Sequence, residues 1–72
     1  MTAPRSLQPT PGRLREFRLE KALSQRELAR LADLRAGTVN RVEQGLPTRL
    51  STIAALARAL GVEPFDIARV DG

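Results

Sequence analysis

A chain of 72 residues holds one small domain, whose core is large enough for only a modest net stability. It has no cysteine and no histidine, which removes a disulfide framework, a zinc–thiolate site and the commonest general base and metal ligand. The formal net charge of +4 comes almost wholly from arginine, Lys21 being the one lysine, and suits a phosphate backbone as well as it suits plain solubility.

Residues 1–12 carry Pro4, Pro9, Pro11 and Gly12 without apolar periodicity, and read as a flexible N-terminal arm ahead of a domain over 13–72. The arm is either a solvated tail or, through Arg5, a reach toward a neighbouring nucleic-acid groove. A first helix is expected over Arg13–Lys21, with Leu14 and Phe17 facing inward and Arg15, Glu16 and Glu20 facing water. Ser24 and Glu27 form a capping-box pair that starts a second helix over Gln25–Ala32. Asp33 falls at a turn that calls for a left-handed residue, and a third helix follows over Ala36–Gln44 until Gly45 stops it. That third helix lacks a good cap at Arg35 and contains Gly37, each costing about 1 kcal/mol.

After the loop Leu46-Pro47-Thr48, a fourth helix is expected over Arg49–Leu60 with Thr48 as its N-cap. Its inward stripe is Leu50, Ile53, Leu56, Ala57 and Leu60. Gly61 ends it, and Pro64 opens a last short helix carrying Phe65, Ile67, Ala68 and Val70. The expected architecture is all-α, a compact bundle of five helices without repeats or a second domain. Helices two and three, meeting at a tight turn with the polar side of the second left outward, match the helix-turn-helix unit.

The ordered pattern resembles the XRE family, the helix-turn-helix domain of phage Cro and repressor proteins. It is carried by Arg18, by Ser24-Gln25 with Leu28-Ala29, by Thr38-Val39 with Val42-Glu43 and Gly45, and by Ala59-Leu60-Gly61-Val62. The resemblance covers roughly residues 13–70 and implies a lambda repressor-like DNA-binding fold. It further implies a pairing of Arg18 with Glu43 that locks helix 1 to the end of helix 3.

On the same pattern Arg35, Ala36, Gly37, Asn40 and Arg41 face the major groove. Arg41 is suited to the O6 and N7 atoms of guanine, and Asn40 to adenine or a phosphate. Ser24, Gln25, Thr48 and Arg49 are the expected phosphate contacts, Ser24 and Thr48 capping helices at the same time. One such unit reads only a few base pairs, so a homodimer on an inverted repeat is expected. Leu46, Phe65 and Val70 are its candidate contacts, because they lie outside the inward stripes.

The reading is a sequence-specific double-stranded-DNA-binding transcriptional regulator of repressor type. The alternative is a protein-interaction module, an antitoxin or anti-activator, for which Leu19, Leu31 and Phe65 would have to form one apolar patch. No enzyme is expected, since no nucleophile with a base, glycine-rich phosphate loop or carboxylate pair stands out. Neither a cofactor, a metal nor a small-molecule ligand is implied at this size. No stretch reaches membrane-spanning length and no apolar signal region leads the chain, so a cytoplasmic protein is expected.

Overall fold

The computed structural model describes residues 6–70. Its elements, in order, are β1 (Ser6–Pro9), α1 (Arg13–Glu20), α2 (Gln25–Leu31), α3 (Ala36–Glu43), β2 (Thr48–Arg49), α4 (Leu50–Leu60), a 3-10 turn (Pro64–Asp66) and β3 (Ala68–Val70). The helix-turn-helix core is therefore present, but the five-helix all-α bundle is not. Four α-helices pack with a three-stranded antiparallel sheet of order β2-β1-β3.

Two expectations are corrected together by that sheet. Residues 6–9 are its central strand rather than part of a flexible arm. Leu7 pairs with Thr48 on one side and Val70 on the other, and its side chain is fully buried in the core. Arg5, the residue with which the arm was to reach a groove, lies outside the described residues. The expected fifth helix is only a 3-10 turn, capped reciprocally by Glu63 and Asp66, because the chain beyond it pairs with β1. Ile67 and Ala68 are buried there, whereas Phe65 and Val70 stay exposed.

Pro9 fits a central strand for a geometric reason. Thr10 N–H donates to Ile67 O at 2.9 Å, and antiparallel bonds alternate, so Gln8 and Thr10 point their backbone groups at β3. Pro9 then turns its missing donor toward the other side, past the end of two-residue β2.

The helices share one way of stopping. Each ends in a left-handed residue followed by a backbone bond that reaches back five residues, the Schellman closure. The long-reach bonds are Leu23 N–H to Arg18 O, Leu34 N–H to Ala29 O, Leu46 N–H to Arg41 O and Val62 N–H to Ala57 O. Gly45 and Gly61 supply the left-handed residue for α3 and α4, but Ala22 (φ 55°) and Asp33 (φ 58°) supply it around α2. A side chain in that region costs roughly 1–2 kcal/mol, so the turns on either side of α2 are held by the packing around them.

The core is aliphatic: Leu7, Leu14, Leu28, Val39, Val42, Ile53, Leu56, Leu60 and Ile67 are all buried, with Ala29, Ala57 and Ala68 where backbones come close. Leu50, placed in the inward stripe of the fourth helix from sequence, is partly exposed at its first turn. Gln8 Nε2 donates to Gly45 O at 2.7 Å, which ties the central strand to the closure of α3.

Leu7→Ala should lower stability by about 2–5 kcal/mol, the range for a buried leucine. Thermal unfolding followed by circular dichroism checks this, and an unchanged midpoint would mean that residues 6–9 are not part of the fold.

Candidate nucleic-acid interface

α3 has two sides. Val39 and Val42 are buried in the core and Ala36 packs partly against it, while Gly37, Asn40 and Arg41 are exposed, as is Arg35 at the N-cap. No side chain caps α3, and its first turn has no acidic residue. A helix N-terminus carries partial positive charge, and no acidic side chain within this first turn opposes an anion there.

The position of α3 is set from beneath. Arg18 Nε donates to Glu43 Oε2 at 2.6 Å and Arg18 Nη2 to Glu43 Oε1 at 3.0 Å, a two-pronged bond between α1 and the last residue of α3. The third arm, Nη1, donates to Leu23 O at 2.8 Å in the connection to α2. Both side chains are about nine-tenths buried, with 10% and 8% of their surface exposed. The guanidinium is held further above its ordinary value, chiefly by its bond to Glu43. Burial would push the Glu43 carboxyl up, but the bonds from Arg18 and Gln25, with the charges of Arg18 and Arg15, outweigh that and hold it below the usual range.

Around this pair the other sequence-predicted residues fall into separate groups. Gln25, at the start of α2, donates through Nε2 to Glu43 Oε1 at 3.1 Å and to Asn40 Oδ1 at 3.4 Å. Ser24 is engaged in a full capping box: its hydroxyl accepts from Glu27 N–H at 3.0 Å and its own N–H donates to Glu27 Oε1 at 2.8 Å. The bond from the Ser24 N–H to Glu27 Oε1, with a further contribution from the Ser24 side chain, holds the Glu27 carboxyl below its ordinary value.

Thr48 does not cap α4. Its hydroxyl donates to Leu46 O at 2.8 Å, Thr48 and Arg49 form β2, and Arg49 is the N-cap, because pairing with β1 holds this stretch extended. Thr48 and Arg49 nevertheless come beside α3. They line a shallow cleft of about 260 Å³ with Thr38, Arg41, Pro47 and Thr52, so the arginines of α3 and β2 face one opening.

The candidate dimer residues do not form one group. Phe65, 66% exposed, and Val70 line a groove with Thr10, Ala68 and Arg69 beside the free edge of β3, while Leu46 lies apart at the end of α3. Sequence reasoning missed Gln8 as the link between sheet and α3. Its only signal was a polar residue between Leu7 and Pro9, which a proline-rich stretch conceals. Among the described residues no cluster of potential metal ligands occurs and no helix is long and apolar enough to cross a membrane.

Residues 14–67 match a family model described as helix-turn-helix, and the chain belongs to this XRE-type family, a class of DNA-binding regulators rather than enzymes. Among solved structures, the restriction-modification controller protein C.AhdI from Aeromonas hydrophila is similar, with 45% identity and a TM-score of 0.72. The match covers 76% of this chain and 85% of that one. No curated protein matches the chain.

Replacing Arg18 or Glu43 alone with alanine should cost about 3 kcal/mol or more, since each leaves a buried charge without its partner. The double replacement Arg18→Ala with Glu43→Ala should cost less than the sum of the two, and denaturant unfolding of all three variants measures the difference. The depressed Glu43 carboxyl also predicts a pH dependence. Its contribution is complete above the unfolded carboxylate value of about 4.3 and is lost as pH falls through its lower folded value. Acid titration of stability should therefore be shallower in Glu43→Gln than in wild type, and parallel curves would remove Glu43 from the account.

Proposed function

We propose that this protein is a sequence-specific regulator of transcription that binds double-stranded DNA as a homodimer, with α3 in the major groove. The observation that carries this reading is the outer side of α3. Arg35, Asn40 and Arg41 stand exposed on a short helix whose other side is fastened to the core by Val39, Val42 and the Arg18–Glu43 bond. A rigidly backed helix with outward donors is what reading base edges requires.

Arg41 is suited to the O6 and N7 atoms of guanine by two parallel bonds. Arg35 serves a base or a phosphate, Ala36 a thymine methyl, and Gly37 allows close approach. Thr48 and Arg49, across the cleft from Arg41, hold the DNA backbone. The hydroxyl of Ser24 accepts in the capping box and keeps its own hydrogen to donate to a phosphate, so capping and phosphate contact are compatible.

The dimer is assigned to the groove carrying Phe65 and Val70 at the open edge of β3, which presents apolar surface and unpaired backbone groups together. Leu46 lies outside that groove. Acting in the cytoplasm, the protein would repress by occupying a promoter; the likeness to a restriction-modification controller supports its being a regulator.

Selection of duplexes from a random pool, with wild type and Arg41→Ala in parallel, tests the reading. Enrichment of an inverted repeat, relaxed at one position per half-site by Arg41→Ala, is the expected result. Weak binding without enrichment that vanishes as salt rises would leave only a basic surface and return the protein-partner alternative.

A further inference from the structure

The registers of the sheet sort its side chains between two faces. Residues directly opposite one another on antiparallel strands share a face, and neighbours along a strand alternate. Leu7 stands opposite Thr48 and Val70, and Pro9 opposite Ala68, on the side that covers the core. Ser6 opposite Arg49 and Gln8 opposite Arg69 therefore make up the outer face. That face carries two arginines and no carboxylate, and neither arginine has an ion-pair partner among the described residues. Arg69 borders the edge groove, but its place between Ala68 and Val70 turns its side chain away from the core.

This outer face is continuous with the candidate interface at two points. Arg49 belongs to both, since it lines the cleft with Arg41 and stands on β2 opposite Ser6. Gln8 reaches from the middle of the face to the carbonyl of Gly45, the residue that closes α3. Arg69 lies two strands across and two residues along from Arg49, which strand spacing makes about 12 Å between Cα atoms. A duplex presents phosphates along the whole length of its grooves, so a basic strip leading out of the cleft meets further phosphates of the same backbone.

We infer that the outer face of the sheet is a second phosphate-binding surface, on which Arg69 holds a DNA phosphate beyond the one held at the cleft by Thr48 and Arg49. This contact presupposes α3 in the major groove and extends the footprint to the far end of the chain. The planar guanidinium offers a phosphate two parallel donors. A phosphate contact carries no sequence information, so Arg69 adds affinity without adding selectivity. Because β3 is held in place only by pairing with β1, the contact forms only when both ends of the chain are in the sheet.

The test measures affinity for the pool-selected duplex and for an unrelated duplex over a range of salt, with wild type, Arg69→Gln, Arg69→Lys and Arg58→Gln, each first confirmed as folded by its melting curve. Arg58 is exposed in the last turn of α4, about 13 Å along that helix from Arg49, so its replacement removes the same charge elsewhere. Arg69→Gln should weaken both duplexes by the same factor and leave the selected sequence unchanged. It should also reduce the slope of log affinity against log salt by about one per protomer. Arg69→Lys should keep most of the slope, and Arg58→Gln all of it. A wild-type slope and affinity in Arg69→Gln would overturn the inference. So would equal losses in Arg69→Gln and Arg58→Gln, which would reduce Arg69 to its share of the net charge.

Replacing single phosphates of the selected duplex with neutral methylphosphonates locates the contact. One phosphate per half-site should matter to wild type and not to Arg69→Gln, a coupling that a general change in charge does not produce. Identical profiles for the two proteins would again overturn the inference while leaving α3 as the reader. If wild type enriches no duplex at all, the DNA reading fails and this contact fails with it.

Discussion

The two-pronged bond between Arg18 and Glu43 is the constraint on which the rest of the arrangement depends. A helix of eight residues has little stability of its own, and α3 also lacks a side-chain cap and contains Gly37. Its place is fixed by Val39 and Val42 beneath it and by this charge pair at its end. Apolar contacts resist separation but tolerate sliding, whereas a planar guanidinium on a planar carboxylate fixes both distance and rotation. The same guanidinium bonds Leu23 O, so one side chain links α1, the start of the helix-turn-helix and the last residue of the exposed helix.

The closures of the helices serve the same end by a different route. A left-handed residue after each helix reverses the chain within a few residues, which lets helices this short pack against one another without long loops. That two of the four closures use Ala22 and Asp33 instead of glycine shows where packing overrides local preference. Both flank α2, which buries Leu28 and Ala29 fully and whose capping box fixes its first turn.

The sequence made the helical middle legible because its signals are local. Ser24 with Glu27, the apolar spacing of Val39 and Val42, and Gly45 and Gly61 each act within a turn or two of where they stand. The strands were not legible for the opposite reason. Leu7 and Pro9 alternate with Gln8, but four residues with a proline look like a linker until their partners are known, and those partners are at the far end of the chain. The Pro64 signal was genuine and did start a helical turn; pairing of Ala68–Val70 with β1 then decided the rest. In the candidate interface the arginines could be found by type and spacing. Whether Gln25 and Asn40 face DNA or each other depends on tertiary distances that no spacing encodes.

The place of β1 at the centre of the sheet has a consequence for the order of assembly. Its neighbours are β2 and β3, and β3 ends at Val70, so the first strand to be synthesised has to wait for the last before both its edges are paired. During that interval α1 to α4 can collapse through contacts that are close in the chain, but the socket for Leu7 stays open and apolar. Closing it joins segments far apart in sequence, a slow kind of step whose waiting state is prone to associate with other chains. The newborn protein is therefore most vulnerable at a stage when its helix-turn-helix can already be in place.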